Sequence, residues 1–531
     1  MKSLFIKIIA FMLCMFMLVS FCACGAKKGN DADDEDKEED TNKTEDADNI
    51  IAVETEHFKI SGSMMEYFFR ERYNEYVNEL SYYIQAGYIK LDTSKSLKAQ
   101  IQSGENTWFD YFMDITTNKI SQLLAYCEGA YSEGIALTAE EKAEVDAAVK
   151  ALYDQAKAEC ELHGINVKRY MAGLYGDNVN ENVIYSAKEI EALAAKYAKV
   201  LYDRIGESIT SEEVEKYYKD HFDDYFSADY LSYEFKVVRD FVKESDYNGD
   251  FEVFEQATKA SIEKYEAVKA DAKEKAEELS NKSNADSFKA HIKSNLEEDY
   301  RVKGGDNTIT KSEQKEIDDK MKALLTTNFA HGHETSLEKW IYGASCGCES
   351  GVSKGASVND VYVVEDENEE DGVYTITVYM LTREAGRNTS STKNVFYAAF
   401  PLESSSDANT LVSAFESSFT KDFDTFEALA KVNNFTDDAI IKKKTDLSYG
   451  EMGYYELDEW IFDERNSAGM INNIVLDKYS VVVYIVGDGA ETWYADVHEA
   501  MTDEASEKWI TDKIASLDLK YNTKFINNID A

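Results

Sequence analysis

Proline occurs once in 531 residues. Ordinary usage near 5% would give about 26, so collagen-like and proline-rich architectures are excluded, and long helices run without their main breaker. Basic residues are also scarce: 57 Lys+Arg against 102 Asp+Glu leave a formal charge of −45. Neutralising phosphates takes a lysine and arginine surplus, so the composition argues against a nucleic-acid partner. Seven cysteines in 531 residues do not make a disulfide scaffold. There is no Gly-rich phosphate loop, no nucleophile elbow and no HExxH helix. With 102 acids, any carboxylate spacing arises by chance. The pattern therefore points to no catalytic residue, no metal and no cofactor. What is present is 44% hydrophobic and 12% aromatic residues, enough to bury cores in about three domains.

The first apolar run covers residues 8–21 behind Lys2 and Lys7. About 14 residues are too short for a bilayer span of about 20, so the run reads as the core of a signal peptide, residues 1–23. Ala23 before Cys24 and Gly25 after it resemble the lipobox of bacterial lipoproteins, with Phe21 in place of the usual Leu. That resemblance implies cleavage before Cys24, a lipid on its thiol and an extracytoplasmic, membrane-anchored chain. Cys22 is the poorer candidate because bulky Phe21 precedes it. Residues 31–48 then carry eleven acids and two lysines. Such a block repels itself and stays extended, a spacer within residues 24–50. Past Cys24 the chain has four cysteines, Cys127, Cys160, Cys346 and Cys348, and spacing does not tell which of them pair. His331 and His333 ahead of Cys346 and Cys348 invite a zinc reading, but the spacing matches no common structural site.

Residues 51–227 read as mostly helical. Met65, Phe69, Tyr73, Tyr76, Leu80 and Tyr83 recur at three and four, one face of a helix. Thr138 and Glu141 form a capping box that opens a helix with Val145, Val149, Leu152 and Ala156 on one side, stopped at Gly164. Thr210 and Glu213 form a second such box. From residue 229 the pattern changes: strands are expected at 230–238, 358–364 and 373–381, the last two joined by an acidic turn at 365–372. Helices are expected at 252–280, 285–300 and 312–327. A similar order follows, with a strand at 395–400, helices at 410–419, 423–432 and 457–462, and a strand at 479–486. Leu337, Glu338, Trp340, Ile341 and Tyr342 match Leu457, Asp458, Trp460, Ile461 and Phe462 in spacing. A period of about 120 residues is too long for a solenoid, so the chain is read as two duplicated domains, 228–390 with a helical insertion and 391–500.

Four passages resemble the SurA/PrsA-type extracytoplasmic foldases, which join a helical chaperone domain to parvulin-like peptidyl-prolyl isomerase domains. They are residues 57–69, the stretch from Thr210 to Tyr218 with Phe222 and Phe226 after it, residues 422–430, and residues 450–486. The resemblance implies a helix-rich α+β fold. It also implies that residues 501–531 return to complete the helical domain, with Trp509 in its core. Its implied partners are unfolded or newly secreted polypeptides. The family's isomerases carry a histidine in the first and last parvulin strands. Here those strands read Tyr233 to Val238 and Phe396 to Phe400, then Val373 to Thr375 and Lys478 to Ser480, without histidine. The activity expected is therefore holding or folding of clients without standard isomerase chemistry. The client surface is expected at Met64, Met65, Phe68, Phe69, Tyr82 and Tyr83, because methionine and aromatic side chains adapt to varied apolar segments. Two other readings stay open: an isomerase with a non-standard pocket, and a solute-binding lipoprotein of a transporter, which would need alternating βα units in two lobes.

Overall fold

The structure is a computed structural model that describes residues 47, 50–247, 250–304, 308–330, 335–343, 355–402, 405–432 and 440–529. The signal-like segment, Cys22, Cys24, His331, His333, Cys346 and Cys348 lie outside the described residues. Two compact units divide the chain: residues 1–210 with 499–531, and residues 211–498. The fold is helix-rich α+β.

The first unit opens with β1 (Ile51–Glu54) and β2 (Lys59–Ser61), then α1 (Gly62–Glu79) and the short α2 (Ser81–Gln85). A small hairpin, β3 (Ile101–Ser103) and β4 (Asn106–Thr107), leads into α3 (Trp108–Ser132), α4 (Ala139–His163), α5 (Val167–Tyr175) and α6 (Glu181–Ser208). The capping box at Thr138 and Glu141 forms in both directions, and Gly164 ends α4 at φ 66°, where a side chain would strain the backbone. Cys127 and Cys160 are buried free thiols. Inside the unit Glu71 accepts from Tyr67 at 2.8 Å, Lys119 at 2.8 Å and Lys188 at 2.9 Å. Burial opposes the Glu71 charge, but Lys119, Lys188 and Arg72 outweigh it and hold the carboxyl far below its ordinary range.

The chain end belongs to this unit. Trp509 lies 5.7 Å from the Tyr126 ring, nearly parallel at 13°, and 5.7 Å from the Tyr197 ring. Ile510, Ile526 and Ile529 join the same core. Residues 519–526 form the two-residue β13 (Lys520–Tyr521) and then a helical turn, Thr523–Ile526. That β13 adds to β1 with Val53 opposite Tyr521.

Residues 211–226, expected with the helical domain, belong to the second unit. There α7 (Ser211–Asp220) and α8 (Phe222–Tyr225) precede β5 (Ser227–Val238). The reason is a stack within the unit: the Arg387 guanidinium lies 4.1 Å from the Tyr218 ring and 4.6 Å from the Trp493 ring, and both its arms donate to Glu215 at 2.7 Å. After β5 come α9 (Phe251–Ser280), α10 (Ala285–Gly304), α11 (Lys311–Lys322), β6 (Leu325–Ala330), α12 (Ser336–Tyr342), β7 (Val361–Asn368) and β8 (Val373–Gly386). Then follow β9 (Ser391–Pro401), α13 (Ser405–Glu416), α14 (Phe423–Val432), β10 (Ile440–Leu447), α15 (Tyr455–Phe462), β11 (Ile471–Val475) and β12 (Tyr479–Glu491). The last helix, α16 (Thr492–Ser516), continues into the first unit.

Each half of the second unit is a four-stranded sheet, ordered β6-β5-β8-β7 and β10-β9-β12-β11. In chain order both read second, first, fourth, third, and every pair is antiparallel. In each, helices link the first two strands and one short helix precedes the closing hairpin, so the two halves share one order of elements. Several boundaries differ from those expected, two of them for a visible reason. Helix α11 stops at Lys322, because Leu325 and Thr326 pair with β5 instead of continuing the helix. The strand read at 358–364 runs to Asn368, since Lys273 and Lys269 neutralise Glu365 and Glu367 and let the acidic half join the ladder. Strands β10 and β11 had no clear alternation in the sequence and are found by pairing alone.

Candidate functional site

Of the six expected client residues, four are core. Met64 is 6% exposed, and Met65, Phe68 and Phe69 are fully buried. The first two turns of α1 are buried on every side, with Phe69 5.5 Å from Phe109 and 6.4 Å from Phe112, and the Phe68 ring beneath the Lys119 ammonium. These turns are interior on all sides, so the four are corrected from client surface to core. Tyr82 and Tyr83 are exposed, 72% and 50%, and meet edge-to-face at 5.6 Å. Tyr88, not singled out from the sequence, extends the cluster at 6.4 Å from Tyr83 and is 77% exposed.

A second aromatic surface lies on the first sheet. Side chains of a strand alternate between faces. One face, with Leu231, Tyr233, Phe235, Tyr374, Ile376, Val378 and Met380, is packed against α9, α10 and α11. Among the described residues the opposite face meets α12 at one end only, where Tyr230 and Leu381 pack on Ile341 and Tyr342. Beyond that end, Tyr362 stands opposite Tyr379, Val364 opposite Thr377 and Asp366 opposite Thr375. These side chains are half-buried or exposed. Trp340 stacks on Tyr362 at 5.4 Å and 17°, and Tyr379 lies 6.3 Å from Tyr362 and 5.6 Å from Tyr230. The result is a platform of aromatic rings continued by threonines and ending in acids.

The corresponding face of the second sheet is closed. Val395, Ala399, Val481 and Val483 are buried against Leu457 and Ile461 of α15. The six-residue match now has a physical cause: in both halves the Leu, Ile and final aromatic pack the short helix on its sheet, and the acid, Glu338 or Asp458, is buried at its start. Burial pushes the Asp458 carboxyl up to about 6 against the backbone amides of Gly450 and Met452, which favour its ionised form.

Among the described residues no histidine lies on these faces. His57 stacks on Tyr131 and bonds Glu128 at 2.8 Å, His221 stacks on Tyr217, His291 contacts Asn295, and His163 and His498 ride on helices. A cleft of about 280 Å³ in the second unit is lined by Asp229, Asn328, Arg383, Asn388 and Tyr449. Its Arg383 already donates to Asp229 at 2.8 and 2.9 Å and to Ser227, so the charge is spent on structure. Among the described residues no group of three or more His, Cys, Asp or Glu could hold a metal ion. Among them, too, no helix is long and apolar enough to cross a membrane.

No family model matches this chain, and no curated relative does. Among solved structures, the foldase protein PrsA from Streptococcus pneumoniae is similar over 64% of this chain and 94% of its own length, at 11% identity and a TM-score of 0.18. That superposition is too loose to transfer a property.

Proposed function

We propose that this chain is an extracytoplasmic holding or folding factor for secreted polypeptides, anchored to the membrane through a lipid on Cys24, without standard parvulin isomerase chemistry. The observation that carries it is the aromatic platform of Trp340, Tyr362 and Tyr379, which is uncovered among the described residues and has no histidine among its strands. Aromatic rings with half-buried backs offer apolar contact area at little loss of rotamer freedom, which suits varied apolar client segments. The exposed Tyr82, Tyr83 and Tyr88 cluster supplies a further surface of the same kind. The antiparallel pairing of every strand and the helical first unit argue against the solute-binding reading, which needs alternating βα units. Light scattering of a denatured secreted protein diluted with this chain tests the proposal. Wild type suppresses aggregation at near-stoichiometric ratios, and Trp340→Ser with Tyr362→Ser weakens it about tenfold or more, since each lost ring contact is about 1 kcal/mol. Full suppression by that double variant, with unchanged circular dichroism, refutes the platform.

A further inference from the structure

We propose that the outer edge of β7 takes up a client segment by antiparallel strand addition, and that it selects segments in which basic residues precede β-branched or aromatic ones. This rests on the client-holding reading and names the class of client.

Among the described residues strand β7 is an edge of the first sheet, paired only with β8. Every second residue of an edge strand therefore turns its N–H and C=O away from the sheet, a template for another strand. The strand is divided in character. Its first half is Val361, Tyr362, Val363 and Val364, with Val363 39% exposed. Its second half is Glu365, Asp366, Glu367 and Asn368, followed by Glu369, Glu370 and Asp371. Lys273 and Lys269 on α9 pair with Glu365 and Glu367. Asp366, Glu369 and Glu370 make no ion pair among the described residues. In the second sheet the β10 edge carries Lys442, Lys443 and Lys444, the kind of charge that keeps an edge from pairing, whereas β11, the counterpart of β7, carries none. The apolar half of β7 carries no such guard.

Direction follows from charge. All strand pairs of both sheets are antiparallel, the somewhat stronger arrangement per residue. In an antiparallel addition the first residues of the incoming segment meet the acids and its last residues meet Val361 to Val364. Lysine or arginine must therefore come first and the apolar residues after. Alternate side chains of that segment then land beside Tyr362 and Val364, on the open aromatic face. A second copy of β7 does not fit: antiparallel, its acids would face valines, and parallel, acids would face acids.

The test uses the full chain and a labelled nine-residue peptide, Lys-Arg-Lys-Thr-Val-Thr-Phe-Thr-Val, against the same peptide reversed, read by fluorescence anisotropy. The forward peptide is expected to bind at least tenfold more tightly, and the triple variant Asp366→Lys, Glu369→Lys, Glu370→Lys to lose that preference. N-methylation of alternate residues in one register is expected to abolish binding and in the other to leave it, because only one set of amides faces β7. Equal binding of forward and reversed peptides, or equal binding of both methylated registers, overturns the proposal. So does a dimer in solution that the triple variant dissociates, which would make a second copy the occupant. If the two peptides bind equally while aggregation is still suppressed, the edge is wrong and the client-holding reading stands. If the forward preference holds while aggregation is not suppressed, the edge stands and the client-holding reading falls.

Discussion

Replacing Trp509 with alanine tests whether the last residues of the chain stabilise a unit that begins more than 400 residues earlier. The indole stacks on Tyr126 at 5.7 Å and 13° and meets Tyr197 at 5.7 Å and 52°, with Ile510 and Ile514 beside it in the same core. A buried tryptophan removes about 200 Å² from water, and about 25 cal/mol per Å² gives about 5 kcal/mol. Partial exposure of Trp509 and a compact unfolded chain reduce this to about 3–4 kcal/mol. For a unit of this size that lowers the melting temperature by about 6–16 °C. Hydrogen exchange locates the loss: protection should fall in α3, α6 and β1 and stay unchanged in β9 and β12. Trp509→Phe should recover part of it by restoring one stacked ring. Loss of protection in β9 and β12 with the first unit unchanged refutes the reasoning, because the helix end would then belong to the second sheet.

Gly129→Val should destabilise the first unit by about 2 kcal/mol, since a Cβ there overlaps the Tyr197 ring where α3 and α6 approach; urea unfolding of the variant measures it. Asp458 should make the second unit lose stability as pH rises. Its carboxyl is raised to about 6, so between about pH 4 and 6 the folded chain keeps a proton the unfolded chain has released, and stability falls across that window by at most about 3 kcal/mol, then levels. Asp458→Asn should flatten that slope in urea midpoints taken at pH 4 and pH 8; an unchanged slope assigns it to another group. The purified chain should not accelerate isomerisation of a proline tetrapeptide, and a saturable rate increase would establish a non-standard pocket. Cys24→Ser should abolish labelling by a radioactive fatty acid; equal label in the variant would move the anchor to Cys22.

Features closed within a few residues were legible in the sequence. The capping box of Thr138 and Glu141, the stop at Gly164, the strand of alternating threonines in β8 and the repeated helix from Leu337 and Leu457 depend on hydrogen bonds and side-chain periods inside one turn or one strand. Their physics is local, so their residue types announce them. Met64, Met65, Phe68 and Phe69 could not be assigned to surface or core in that way. An apolar side chain has the same propensity in both places, and only α3, α5 and α6 packed around α1 decide that all four are interior. The same holds for β10, a strand with three consecutive lysines that exists because β9 offers it a ladder. It holds also for the acidic half of β7, which joins the first sheet because two lysines of α9 neutralise it. Composition and local pattern settled that the chain is helix-rich with strands after residue 229, and that those strands lack histidine. Which sheet face stays open, and which edge stays unpaired, was decided by contacts between residues far apart in the chain, whose free energy no local pattern records.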